Sequence, residues 1–271
     1  MTKIAIIGSG RIAWHLGRRL KAKGLPPRQV ISRTAAHAES LARTLQCDWT
    51  DDWSALMPDI DLAIIAVRDD AIGDVAAQVA PAAPQTLFVH TSGATPGTVL
   101  APHCARFGVF YPLQSFSYDR VPVWSKIPFC VDANSAEDLL LLKKTAKQIG
   151  NLLYHVDDKQ RSSLHVAAVF ANNFTNHCFA IAEKLLEEKE LPFELLHPLM
   201  EETLAKALQN APALMQTGPA VRGDQETIQR HLNLLSGHPE WQKLYSSMTD
   251  NIIRQHQSEN PGAGASDFSN E

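Results

Sequence analysis

Short aliphatic runs alternate with amphipathic stretches along the first 157 residues. In "KIAIIG" the apolar positions are continuous and stop at a glycine turn, "GSG". The next stretch, "RIAWHLGRRLKAKG", spaces its apolar residues at helical intervals and ends at Gly24. "RQVISRT" predicts a second strand, "HAESLARTLQ" a second helix, and "DLAIIAV" a third strand. That third run lacks polar alternation, as expected of a strand covered on both faces in a parallel sheet. "DDAIGDVAAQVA" predicts a helix capped by Asp69 or Asp70, and "TLFVHTSGA" a strand that ends in a small-residue turn. "RFGVFYPLQSF", "IPFCVDA", the helix "SAEDLLLLKKTAKQIG" and the strand "NLLYHVD" continue the series. Such alternation implies an α/β, doubly wound sheet over residues 1–157.

After Asp158 the period changes. "KQRSSLHVAAVFANNFTNHCFAIAEKLLEEKEL" keeps helical spacing without a glycine or proline until its end, and three more helical segments follow. Residues 158–257 are therefore expected to form an all-α domain. The small, polar tail from 258 to 271 is expected to be disordered.

Composition narrows the function classes. Of 271 residues 45% are hydrophobic and 20% charged, enough for a sizeable core. A net charge of -4 provides no basic face for nucleic acid. No run approaches the ~20 apolar residues of a membrane span, and "MTKIAIIGSG" lacks a leader's cleavage region, so a cytoplasmic location is expected. Cys47, Cys104, Cys130 and Cys178 are scattered with no CxxC pair, and no HxxxH or HExxH pair occurs among the histidines, so no metal site is expected.

"GSGRIA", Gly8 to Ala13, fits the G-x-G-x-x-G/A dinucleotide fingerprint, and it follows a predicted strand and opens a predicted helix. Gly8 allows the tight turn and Gly10 the approach of a pyrophosphate, with Ser9, Arg11 and Ile12 beside them. A purely structural glycine turn is the alternative. NAD-type domains place an acid about 20 residues on, at the end of the second strand. Here that strand ends Ser32-Arg33-Thr34, with a guanidinium suited to a 2′-phosphate, so NADP(H) is the expected cofactor. Ala66, Val67, Arg68 and Asp69 follow the third strand, where such domains pass under the ribose and nicotinamide. His90, Thr91, Ser92 and Gly93 end the next strand, at the sheet edge where ligands of open α/β folds bind.

With ~100° per residue of α-helix, His165, Val169, Asn172, Asn173 and Asn176 fall on one stripe. Each is explicable as a core or interhelical group. Together, amid Val, Ala and Phe, they must be paired, wet or liganded. Arg222 in "TGPAVRGD" is a further candidate, able either to clamp a carboxylate or to pair with Asp224 in a turn.

These motifs resemble two groups of proteins. A Rossmann-type domain followed by a helical domain of the 6-phosphogluconate dehydrogenase C-terminal type is similar to 3-hydroxyacid dehydrogenases, ketopantoate reductase and pyrroline-5-carboxylate reductase. In the hydroxyacid dehydrogenases a Lys-x-x-Asn-Asn motif carries the acid/base lysine. Laid on "VFANN", the asparagines fall on Asn172 and Asn173 and the lysine on Val169. "HTSGA", "YPLQSFS", "HVAAVFANNFTNH" and "TGPAVRGD" more closely resemble an uncharacterised bacterial family that joins a Rossmann-like domain to a C-terminal domain of unknown function. That family is labelled an NADP oxidoreductase. The resemblance implies NADPH and a homodimer through the helical domain.

The expected activity is NADPH-dependent reduction of a small carbonyl or imine compound in the cleft between the two domains. His165 would donate the proton, an imidazole being suited to exchange one near neutral pH. Asn172, Asn173, Asn176 and Ser92 would orient the substrate, with Gly93, Gln114 and Arg222 as further contacts. An NADPH-binding sensor or scaffold without turnover is the alternative, and a dimerisation protein with a vestigial nucleotide fold a more distant one.

Overall fold

Alternate residues of the first strand, β1 (Ile4–Ile7), enter two different hydrophobic clusters. Ile4 and Ile6 pack on one side of the sheet and Ala5 and Ile7 on the other, so apolar layers cover both faces. The structure, a computed structural model, describes residues 2–259. The helices α1 (Arg11–Ala22), α2 (Ala35–Leu45) and α4 (Ala136–Ile149) supply the first layer through Leu16, Leu20, Leu41, Leu45, Leu142 and Ile149. The helix α3 (Ile72–Val79) supplies the second through Ile72, Val75, Ala76 and Val79. Each fully buried aliphatic side chain contributes about 1.5–3 kcal/mol.

The other strands are β2 (Pro27–Ile31), β3 (Asp48–Thr50), β4 (Leu62–Ile65), β5 (Leu87–His90), β6 (Arg106–Pro112), β7 (Pro128–Ala133) and β8 (Leu152–His155). They form one eight-stranded sheet in the order β3-β2-β1-β4-β5-β6-β7-β8. The first six positions in that order are joined by parallel pairs, as the buried runs predict. Three details differ from the sequence reading. Strand β3 is an edge strand of three residues, too short to show a period. Strand β7 runs antiparallel to β6, because residues 113–127 contain no crossover helix. Asp69 and Asp70 do not cap α3: they lie in a 3-10 turn before it, and Asp70 accepts from Arg68 at 3.1 Å.

The chain divides into two units, Met1–Ala171 and Asn172–Glu271, later than the change of period at residue 158. The helix α5 (Asp158–Ala168) accounts for the difference, since its first turn is bonded to the loop after β5. Buried Arg161 donates through Nη2 to the Thr95 carbonyl and to Asp158 Oδ1, both at 2.6 Å, and the Asp158 carboxylate accepts from the Gly97 amide at 2.9 Å. Asp157 starts the helix with a capping box: its carboxylate accepts from the Gln160 amide, and the Gln160 side chain accepts from the Asp157 amide.

Beyond α5 the segment Val169–Phe174 is π-helical. A π turn adds a residue to the helical repeat, so the spacing that put His165, Val169, Asn172, Asn173 and Asn176 on one stripe does not hold across it. The second unit continues with α6 (Thr175–Glu187), α7 (His197–Gln209), α8 (Pro219–Arg222), α9 (Gln225–Leu234) and α10 (Pro239–Glu259). Neither α6 nor α7 has a buried residue. Ser258 and Glu259, assigned to a disordered tail by the sequence reading, belong to α10, because the helical hydrogen-bonding pattern runs on past the polar composition. The rest of that expected tail, 260–271, lies outside the described residues.

Replacing the cap of α5, Asp157→Ala, is expected to lower stability by about 1 kcal/mol. Urea unfolding gives the change in stability, and faster amide exchange confined to the first turn of α5 locates it.

Candidate functional site

The carboxyl ends of β1, β2 and β4 meet at the glycine turn. Gly8 adopts φ +113°, a left-handed conformation that favours glycine, and a Cβ there would lie 2.3 Å from the Ala66 carbonyl oxygen. Its amide donates to the Ile31 carbonyl at 2.7 Å, and the Ala66 amide donates to the Ile7 carbonyl at 2.7 Å. Ser9 Oγ and Ser32 Oγ are hydrogen-bonded at 2.7 Å, pinning the end of β2 to the turn.

Gly10 differs from Gly8. It precedes α1 in an extended conformation, and a Cβ on it would meet nothing within 4 Å. The protein's own packing therefore does not require glycine at this position, whereas a ligand pressed against the backbone would. The N-terminus of α1 has no side-chain cap and no acid in its first turn, and the same holds for α2, which follows Thr34. Uncapped helix N-termini are anion sites.

Both helix starts border a cleft of about 550 Å³. Its floor is Gly8, Ser9, Gly10, Arg11 and Ile12; Ser32, Arg33 and Thr34 line it at the end of β2, and Ala66, Val67 and Arg68 after β4. Gln114, expected to touch substrate, also lines this cleft. The sequence reading missed His37, Trp53, Ala71, Val75 and Phe116. His37 was within reach of helical spacing, one turn beyond Arg33 and Thr34. Trp53 follows the unrecognised β3, and no local signal marks it. Among the described residues lining the cleft are three arginines and no carboxylate.

Asp69, His90 and Thr91 were expected around the cofactor but do not line this cleft. Asp69 is exposed in its 3-10 turn, while His90 and Thr91 are buried at the end of β5. His90 Nδ1 accepts from the Ser92 amide at 3.2 Å. Burial, with a smaller contribution from the Arg161 charge, pushes His90 down to about 4, while the Pro96 backbone, Asp158 and Asp69 oppose the shift. Among the described residues His90 Nε2 and Arg161 Nε and Nη1 have no hydrogen-bond partner although buried. Burial alone would raise Asp158, but the Gly97 amide and Arg161 hold it below the usual carboxylate range.

Ser92 is committed within its own turn. Its hydroxyl accepts from the Ala94 and Thr95 amides and donates to Thr95 Oγ1 at 3.0 Å, which corrects the expectation of a hydroxyl available to substrate. Gly93 faces Tyr111 and His165: a Cβ there would lie 2.5 Å from His165 Nδ1 and 2.8 Å from the Tyr111 hydroxyl. Tyr111 and Arg161 were not candidates from sequence. Their importance arises from contacts with residues far along the chain.

In the second unit Asn172 and Asn173 are exposed, with Asn172 Nδ2 3.4 Å from Asn173 Oδ1, and Asn176 is also exposed. Arg222 ends the four-residue helix α8 and is exposed. Gly223 follows at φ +67°, and the Asp224 carboxylate caps α9 through the Thr227 amide at 3.0 Å. That bond, more than the neighbouring Arg222 charge, lowers the Asp224 carboxyl. "TGPAVRGD" is thus a helix-to-helix turn.

Residues 3–92 match the family model described as NADP oxidoreductase coenzyme F420-dependent, and residues 127–252 match a domain of unknown function, DUF2520. A solved Bacteroides fragilis protein described as an NADP oxidoreductase is 38% identical, with 93% of this chain and 98% of that one covered and a TM-score of 0.87. The chain belongs to this family of two-domain NADP oxidoreductases. An Aspergillus terreus reductive aminase, solved with NADPH and ethyl levulinate, is 18% identical, covering 98% of this chain and 96% of that one, with a TM-score of 0.71. A Myxococcus stipitatus imine reductase, solved with NADP+, is 17% identical, covering 98% and 97%, with a TM-score of 0.66. These two likenesses show the shared fold. No curated protein matches the chain.

The buried His90 gives the oxidoreductase an acid limit. Its folded-state value near 4 lies below the ordinary 6.5, so the unfolded chain binds the proton more tightly. The stabilisation is complete above about 6.5 and is lost as the pH falls toward 4. At pH 5 the loss is expected to be about 2 kcal/mol. His90→Asn, whose Oδ1 can replace Nδ1 as acceptor, should flatten this part of the stability profile; urea titrations at pH 7 and pH 5 measure the difference.

Proposed function

We propose that the protein is an NADPH-dependent reductase of a small carbonyl or imine compound. The observation that carries this reading is the cleft's charge: Arg11 and Arg33 at two uncapped helix starts, Arg68 after β4, and no acid among its described lining residues. A dinucleotide with a 2′-phosphate fits those residues. The open face of Gly10 and the first amides of α1 suit the pyrophosphate, with Arg11 alongside. Arg33 and Thr34 suit the 2′-phosphate, where an acidic residue would repel it. When bound, the nicotinamide supplies a hydride. The chain's contribution is to orient it, exclude water and deliver a proton to the substrate heteroatom, and His165 is the residue assigned to that proton.

Fluorescence titration tests the cofactor, with NADPH expected to bind well ahead of NADH. Arg33→Ala should weaken NADPH roughly 10- to 100-fold and leave NADH unchanged, the loss of charge-assisted hydrogen bonds worth about 1.5–3 kcal/mol. Equal binding of both dinucleotides by the unaltered protein would refute the 2′-phosphate assignment.

A homodimer through the second unit belongs to the same proposal. Helices α6 and α7 bury no residue within the chain, and Leu195, Leu199, Leu204 and Leu208 are each more than 60% exposed. Apolar exposure on this scale marks an interface. Light scattering should give twice the mass of one chain, and Leu199→Glu with Leu208→Glu should yield monomer or unfolded protein. A monodisperse monomer of the unaltered chain would exclude the dimer.

A further inference from the structure

We propose that Tyr111 is a positioning residue: its hydroxyl donates to His165 Nδ1 and so holds the proton of the neutral imidazole on Nε2. This inference rests on the reductase reading for its purpose, although the tautomer itself can be tested without turnover.

Tyr111 lies near the end of β6, and His165 is on the third turn of α5. The phenolic oxygen is 3.4 Å from His165 Nδ1, and the two rings meet edge to face with centroids 6.3 Å apart. Gly93 makes this meeting possible, since any side chain there would occupy the position of both groups. Tyr111 is 8% exposed and packs with Val109 and Cys130.

Hydrogen-bond accounting fixes the direction. A phenol has one proton and a neutral imidazole has one donor and one acceptor nitrogen. Among the described residues His165 Nδ1 is the only partner of the Tyr111 hydroxyl. The phenolic proton is therefore satisfied only when Nδ1 accepts it, and a buried hydroxyl left unsatisfied costs about 1–3 kcal/mol. Burial, with smaller effects from Cys130 and Asp69 against Arg161, raises the tyrosine, which keeps that proton in place at working pH.

The consequence is directional. The Nδ1 side of the His165 ring is packed against Gly93 and Tyr111, and the residue as a whole is partly exposed. Nε2, across the ring, is then the proton-bearing nitrogen. In reduction of a C=N or C=O bond, the hydride goes to carbon, the Nε2 proton to nitrogen or oxygen, and the Tyr111 proton along its hydrogen bond to Nδ1, so that the ring stays a neutral imidazole. Nδ1 then returns that proton to Tyr111 as Nε2 takes one from solvent.

The test is nitrogen NMR of 15N-histidine-labelled protein with NADP+ bound, His165 being assigned by its loss in His165→Gln. The expected wild-type spectrum shows His165 as the Nε2–H tautomer, and Tyr111→Phe converts it to a tautomer mixture. Tyr111→Phe keeps the ring in place, and circular dichroism checks that the fold survives. An unchanged His165 tautomer in Tyr111→Phe would overturn the proposal. In parallel, NADPH oxidation is followed with 2-methyl-1-pyrroline and cyclohexanone as probes. The expected result is a kcat lowered roughly tenfold or more in Tyr111→Phe with KM for NADPH unchanged. A tautomer change with no loss of kcat would remove Tyr111 from the chemistry. No oxidation by the unaltered protein, with the tautomer change present, would count against the reductase reading and leave the hydrogen bond established.

Discussion

The crossing of Gly8 against the Ala66 carbonyl is the contact on which the cleft depends. A side chain at Gly8 would overlap a backbone oxygen, which cannot move aside as a flexible side chain could. That closeness brings the ends of β1, β2 and β4 together, and the Gly8 and Ala66 amides close the gap by donating to Ile31 and Ile7. Because those ends are fixed, α1 and α2 start at the same cleft with their first amides unpaired by any side-chain cap. Arg11 and Arg33 then raise the positive potential that the helix starts begin, while Arg68 is paired with Asp70.

A second constraint acts on α5. Buried Arg161 and Asp158 join the helix to the loop that holds Ser92, Gly93 and Gly97, so the position of His165 follows from bonds several residues before it. The arrangement leaves Nε and Nη1 of Arg161 unpaired among the described residues, an unfavourable state for a charged group. It also contributes to the suppressed protonation of His90 beneath the same loop. Stability and the geometry around Gly93 are thus supplied by the same buried groups, and acid that disturbs one disturbs the other.

The two units differ in how they are stabilised. The sheet carries apolar layers on both faces and uses them fully. In the second unit α7 and the turn before it present leucines outward, which is the physical basis for the second copy we propose. That exposure also explains why the helical periodicity of this half, legible in the sequence, says little about where its residues are buried. A helix burying its stripe against another chain and one burying it within its own have the same pattern.

The sequence by itself determined the elements whose signals are local. Continuous aliphatic runs specify β1 and β4, as expected of strands covered on both faces. The glycine spacing and Ser32-Arg33-Thr34 specify residues that line the cleft, because each lies at the end of a strand whose signal is local. Tertiary structure alone decided what depends on distant partners. Strand β3 needs the edge of β2 to exist, and β7 reverses direction because residues 113–127 form no crossover helix. The π turn at Val169–Phe174 breaks a stripe that α-helical spacing had drawn as continuous. The Ser92 hydroxyl is engaged in its own turn, and the Tyr111–Gly93–His165 cluster joins three segments that no window of sequence contains. Periodicity reports which face of an element is apolar, whereas contacts between elements are set by the whole chain's packing.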